Sequence, residues 1–175
     1  MSTPISRIGF NEVVTRDGFQ SEPRFIPTDE KIALIDELSR CGYAKIEVTS
    51  FTSPKAIPML ADADEVMRRI QRVPGVEYTV LVPNVRGAER ALAAHADELN
   101  LVMSMSETHN LANLRMPRET SFEALRDVIR LAHGAVPVNV SFSTAFGCPM
   151  EGEVPQDEVL RWAERFASLD VRGLT

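Results

Sequence analysis

The strongest constraint on this chain is its alternation of short β-branched runs with longer stretches of helical period. Strand-like runs begin at Ile8 and recur at 44–50, 78–82, 99–104, 138–143 and 173–175. Between them apolar residues fall at helical spacing: Ile32, Ile35 and Leu38 in one stretch, Leu125, Val128, Ile129 and Ala132 in another. A helix is expected from Thr28, as N-cap with acids behind it, until Gly42 ends it. Further helices are expected over 63–70, 88–94, 121–133 and 155–168, the last with Pro155 near its first turn. Strands joined by crossovers of this length pair in parallel, so the expected class is α/β with helices covering a parallel sheet.

Two closures of such a sheet are open, a doubly wound layer or a barrel. No Gly-x-Gly-x-x-Gly follows the first run, which weakens a dinucleotide-binding sheet. Polar groups recur instead where strands end: Arg16-Asp17, Glu47 to Ser50, Asn84, Ser104 to Glu107, and Ser143-Thr144. A barrel gathers all such ends at one face, where its active sites lie. The pattern favours a TIM (β/α)8 barrel. A full barrel takes about 250 residues, so the 175 residues are expected to hold one domain of five to six β/α units, incomplete at its C-terminal side.

The stretch from Ile8 to Gln20 is read as the first strand, delivering Arg16 and Asp17 to its end. A carboxylate is a hard oxygen ligand for a divalent cation, and a guanidinium fork stabilises an oxyanion. Gly18 turns the chain without filling the space in front of them. Taken alone, the same residues also fit a solvated pair ahead of an Asp-Gly turn.

Composition narrows the function. With 44% hydrophobic and 25% charged residues, the chain can build one ordinary globular core. A net charge of -6 with no basic stripe argues against a nucleic-acid partner. No apolar run approaches the roughly 20 residues of a membrane span. Two cysteines, Cys41 and Cys148, are too few for a disulfide framework and fit a reducing compartment. Residues 1–4 lack the charged-then-apolar form of a signal peptide, so a cytoplasmic protein is the expectation.

Three segments carry a resemblance. They are Thr15-Arg16-Asp17-Gly18-Phe19-Gln20, then Ile46-Glu47-Val48-Thr49-Ser50-Phe51-Thr52-Ser53-Pro54-Lys55, then Phe146-Gly147-Cys148-Pro149-Met150-Glu151-Gly152. Together they resemble hydroxymethylglutaryl-CoA lyase, one branch of a group of metal-dependent barrels that includes isopropylmalate and homocitrate synthases. Arg-Asp-Gly is shared across that group, whereas the other two segments are more specific to the lyase branch. The resemblance runs from about residue 8 to the C-terminus.

The resemblance implies retro-Claisen cleavage of a 3-hydroxy-3-methylglutaryl-CoA-type thioester to acetyl-CoA and a 3-oxo acid. It implies a divalent metal (Mg2+ or Mn2+) as cofactor, a small acyl-CoA as substrate, and a homo-oligomer, a dimer, for the complete protein. By motif, Asp17 would be a metal ligand, Arg16 would stabilise the enolate oxygen, and Glu47 would orient Arg16. The plainer role for Glu47 is a buried charge paired with Arg16 or Lys45. Gln20 and Ser50 would be polar contacts on the substrate side. Ser143 and Thr144 would be hydroxyls facing substrate, with ordinary capping almost equally open.

Departures bear on substrate and activity. Val14-Thr15 stands where the family usually has Gly-Pro, Ser21 where it has Asn, and the segment 104–110 differs, which leaves the acyl group open. The family's His-x-His metal pair, catalytic cysteine loop and a further Asn ligand are expected beyond residue 175, and the sequence contains no His-x-His. The 175 residues alone are therefore expected to be inactive. Two rivals remain. A Claisen-condensing synthase would use the same metal and arginine in reverse, although Phe19 favours the lyase because synthases usually carry Glu there. A truncated paralogue would bind CoA esters without turnover.

Among the remaining residues, Cys148 and Trp162 are expected in packing, Cys41 in core or surface, and His95 and His133 at helix ends. For His109, which follows the fourth strand and has no second histidine at ligand spacing, a loop or a substrate-side role is expected ahead of metal binding. Met103 is expected inside the barrel, and the sheet's inner face is expected to be apolar.

Overall fold

The computed structural model describes residues 8–175. Six parallel strands make one sheet: β1 (Asn11–Glu12), β2 (Lys45–Ser50), β3 (Glu77–Leu81), β4 (Glu98–Ser104), β5 (Val138–Ser143) and β6 (Gly173–Leu174). They pair in sequence order with no reversal. A doubly wound sheet reverses its order at a switch point, so this order is that of a β/α barrel. The crossovers carry α1 (Thr28–Leu38), α2 (Ala63–Arg69), α3 (Val85–Ala93), α4 (Glu107–Leu114), α5 (Arg118–Ala132) and α6 (Gln156–Ala167).

The sheet is curled, because side chains of non-adjacent strands meet on its concave side. Lys45 of β2 pairs with Glu98 of β4, and Arg172, just before β6, reaches Glu77 of β3 at 2.5 Å. The apolar core lies on the convex side. Ile46, Tyr78, Val80, Leu99, Leu101, Val138 and Val140 are buried there against Ile35, Val66, Ala88, Leu125, Val128 and Phe166 of the helices.

The concave face is polar, contrary to the expectation of an apolar interior. Lys45, Glu47, Glu77, Thr79, Glu98, Asn100, Asn139 and Ser141 line it. Met103 belongs to the convex core and not to the interior, since period-2 alternation sets it with Leu99 and Leu101. At the N-terminal ends of the strands, Lys45, Glu77, Glu98 and Arg172 form a four-membered ion cluster, with Arg172 Nη1 3.0 Å from Glu98 Oε2.

Three local expectations are corrected. The first strand is only two residues long. Glu12 turns its carboxylate back onto the Val13 and Val14 N–H groups, 2.8 Å each, and Val14–Gly18 form one wide helical turn carrying Arg16 and Asp17. Thr28 is the first helical residue and not the cap, because its hydroxyl donates to Asp62 Oδ2 at 2.8 Å. Helix α4 was not anticipated. Ser106 caps it by accepting from the His109 N–H at 3.2 Å.

Candidate active site

The site begins with the turn at Val14–Gly18, which the chain cannot leave freely. Thr15 is buried and its hydroxyl donates to the Glu47 carbonyl at 3.1 Å, tying the turn to β2. Arg16 then points its guanidinium at the Glu47 side chain. Its Nε donates to Glu47 Oε1, and its Nη1 donates to Asp17 Oδ1 at 2.5 Å. Side-chain exposure is 17% for Arg16, 3% for Glu47 and 64% for Asp17. A buried carboxylate thus holds a cation from below, and the cation's outer edge meets an exposed carboxylate at the rim.

The structure therefore brings Arg16, Asp17 and Glu47 together. Lys45, the other partner considered for Glu47, is committed to Glu77 and Glu98. Sequence reasoning missed the next part of the row. Glu47 Oε2 accepts from Asn100 Nδ2 at 3.1 Å, and Asn100 Oδ1 accepts from Asn139 Nδ2 and Ser141 Oγ, each at 3.0 Å. Ser141 and Thr175 hydroxyls lie 2.9 Å apart. The signal was present: Glu98 and Asn100 in β4, and Asn139 and Ser141 in β5, are polar residues at period 2 within apolar strands.

Ser50 lies on the same concave face, although a spacing of three from Glu47 would put it on the other side of a regular strand. A bulge between Glu47 and Thr49 shifts the register, so that Ser50 pairs with Leu81, which itself pairs with the inward Asn100. The Ser50 hydroxyl is buried and shared with Thr52 Oγ1 at 2.7 Å. Gln20 is exposed just after the turn.

Ser143 and Thr144 lie at the end of β5. Thr144 has φ +61°, a left-handed conformation costly for a β-branched residue. Its hydroxyl donates to the Ser143 carbonyl at 2.6 Å and accepts from the N–H of Ser106, the residue that caps α4, at 3.2 Å. Among the described residues no hydrogen bond joins Gln20, Ser50, Ser143 or Thr144 to the Arg16–Glu47 pair.

Beside them, Cys148 is buried, its thiol 3.0 Å from Ser106 Oγ. Burial pushes this thiol up, but hydrogen bonds from Ser106 and from the Met150 and Glu151 backbone outweigh it and leave it below the ordinary thiol range. Glu151 is also held low, by Thr108 at the start of α4, whose N–H lies 2.6 Å from Oε1. His109 Nδ1 meets Ser104 Oγ at 2.6 Å, and Trp162 is buried against Phe122. Two pockets among the described residues, of about 360 and 550 Å³, lie elsewhere. One is beside the start of β5, the other at the C-terminal ends of α2 and α3.

A hard divalent ion such as Mg2+ or Mn2+ takes about six oxygen ligands, waters among them, and needs more than one protein group to fix it. Asp17 supplies one carboxylate, and among the described residues no three His, Cys, Asp or Glu side chains come together. The described residues do not by themselves make a metal centre.

The strand order and the polar mouth define the class: this is part of a β/α barrel whose open face presents a fixed arginine. Residues 7–174 match the HMGL-like family model, and the chain belongs to that family. It is 42% identical over 170 residues to a hydroxymethylglutaryl-CoA lyase of Bacillus subtilis, covering 97% of this chain and 57% of that protein. It is 41% identical to the mitochondrial hydroxymethylglutaryl-CoA lyase of Rattus norvegicus, covering 97% and 52%. The structure of an HMG-CoA lyase from Acinetobacter baumannii, in complex with coenzyme A and 3-methylmalate, superposes with a TM-score of 0.94 at 43% identity, covering 99% of this chain and 57% of that one. The chain thus spans about half the length of the curated relatives it matches. No helix among the described residues is long and apolar enough to cross a membrane.

Proposed function

We propose that this chain is the arginine-bearing part of a carbon–carbon lyase that splits 3-hydroxy-3-methylglutaryl-CoA into acetyl-CoA and acetoacetate. In that reaction the C3 hydroxyl loses its proton to a base and the C2–C3 bond breaks. The electron pair moves onto the thioester as an enolate, which takes a proton at carbon to give acetyl-CoA. The costly species is the enolate, whose oxygen needs a fixed positive donor. The observation that supports the reading is the Arg16–Glu47 pair: Nε is spent on a buried carboxylate, so the guanidinium plane is fixed while its outer edge stays at the rim. Asp17, beside that edge, would be the one carboxylate ligand that the described residues offer to the divalent ion (Mg2+ or Mn2+) that the family implies. Gln20, Ser50, Ser143 and Thr144 belong to the same proposal as polar contacts for the acyl-CoA.

The test is acyl-CoA cleavage by the complete natural polypeptide carrying these residues, with and without magnesium or manganese. Acetyl-CoA and acetoacetate should appear in equal amounts, and Arg16→Ala should lower turnover by about 10²–10³, the usual loss of one oxyanion donor. Condensation of acetyl-CoA with a 2-oxo acid, without cleavage, would replace the lyase with a synthase.

A further inference from the structure

We propose that Asn100 is a positioning residue for Arg16, acting through Glu47; the inference rests on the role given to Arg16 above. Glu47 can only accept hydrogen bonds, and it is buried, so both its oxygens need donors. Arg16 Nε serves Oε1. Asn100 Nδ2 serves Oε2 at 3.1 Å from two strands away. It can reach because the sheet is concave and the intervening β3 offers no donor to Glu47 at this level: Leu81 is apolar, and the Thr79 hydroxyl is turned onto the Glu98 carbonyl at 3.2 Å.

The orientation of the Asn100 amide is itself determined. Glu47 only accepts, so the nitrogen faces it, and the oxygen is left to accept from Asn139 Nδ2 and Ser141 Oγ. Gly173 keeps that row in place, since a Cβ there would come 3.1 Å from Asn139 Oδ1. The row Asn139/Ser141–Asn100–Glu47–Arg16 therefore fixes, link by link, the direction in which the guanidinium points. Asn100 touches neither Arg16 nor the rim, and works only by denying Glu47 a second position.

The row makes a pH-dependent prediction for Asn100→Asp, which keeps the shape of the side chain. When the introduced carboxyl is ionised, two acceptors face each other, Glu47 is displaced or protonated, and Arg16 is released. When it is protonated, its O–H donates to Glu47 and its C=O accepts from Asn139 and Ser141, restoring the parent pattern. The variant-to-parent ratio of kcat should be about 0.1 at pH 8 and climb several-fold towards pH 6, with KM little changed. The Arg16 Nε–H signal in 15N NMR of the complete polypeptide should be slow to exchange in the parent, fast in the variant at pH 8, and slow again at pH 6. A ratio constant with pH within twofold, with unaltered Arg16 Nε–H exchange, would overturn the proposal. If Asn100→Asp does not fold, Asn100→Ala removes the donor to Glu47 Oε2 without adding charge. Faster Arg16 Nε–H exchange there supports the row, and parent-like exchange refutes it. Turnover that survives Arg16→Ala would refute the role of Arg16 instead, and the exchange measurements would still decide whether Asn100 holds it.

Discussion

Replacing Glu47 with Gln is the sharpest perturbation of this site, because it changes charge without changing size. Glu47 receives a donor at each oxygen, Arg16 Nε at one and Asn100 Nδ2 at the other. Glutamine offers one acceptor and one donor, so whichever way it turns, one partner faces an N–H. The Asn100 amide cannot flip to compensate unless Asn139 and Ser141 rearrange with it. The expected loss is the cost of one buried unmet donor, about 2 kcal/mol. For a chain of this size that lowers the melting temperature by about 6 °C. Glu47→Ala should cost more, about 3 kcal/mol, at the low end for a broken buried pair because Arg16 is partly exposed and recovers some water. The decisive assay is a thermal or urea double-mutant cycle over Arg16→Ala and Glu47→Ala. Each single change strands the other's charge, so the double variant should lose about 2 kcal/mol less than the sum of the singles. Losses that simply add, within about 0.5 kcal/mol, would mean that the pair is not a coupled unit and that the argument for a fixed guanidinium fails.

Other outcomes follow from the same geometry. Arg115 ends α4 at φ +58° and is exposed, so Arg115→Gly should raise stability by about 1 kcal/mol, read as a higher melting temperature. Lys45→Met would leave Glu98 short of a cation inside the ion cluster and should cost about 3 kcal/mol in urea unfolding. Glu12, Glu119 and Glu151 are held below the ordinary glutamate range, chiefly by the Val14 N–H, the Arg165 guanidinium and Thr108 respectively. Between the ordinary and the lowered values the unfolded chain binds more protons, so their stabilisation is present above the ordinary range and is lost as pH falls through the lowered values. Melting scans should show that decline, and a smaller one in Glu12→Gln. Mn2+ titration of residues 1–175 should give no site tighter than about 1 mM, because Asp17 alone is one oxygen ligand; binding below 0.1 mM would show further ligands.

How much was legible follows from where each signal lies in the chain. The crossovers were readable because Ile32–Ile35–Leu38 and Leu125–Val128–Ile129 repeat at helical spacing, and strand order then follows from chain order. Arg16, Asp17 and Glu47 were readable because a local motif marks them. Ser50's side of the sheet was not, since it depends on a bulge between Glu47 and Thr49 that no residue type announces. Helix α4 was hidden because the polar segment around it reads as loop, while the side chain of Asn110, bonded to Met116 O and Ser121 Oγ at 2.8 Å each, ties it to the chain that follows.

The polar interior was the misreading with most consequence for function. Apolar alternation finds the convex face, and the opposite residues then pass for solvent-facing. Here they face one another. Lys45 with Glu98, Arg172 with Glu77, and Asn100 with Glu47 each join strands that are not neighbours in the sheet. A flat sheet would separate every one of these pairs, leaving Glu47 and Glu98 buried without full compensation. The curl and the polar row therefore stabilise each other. The ion cluster at the base draws the strands inward, and that curvature lets Asn100 reach Glu47 and so hold Arg16 at the rim. Weakening the base by Arg172→Met should accordingly quicken Arg16 Nε–H exchange although the two arginines share no contact. Unchanged exchange in that variant would show that the site is fixed by β2 and its turn alone.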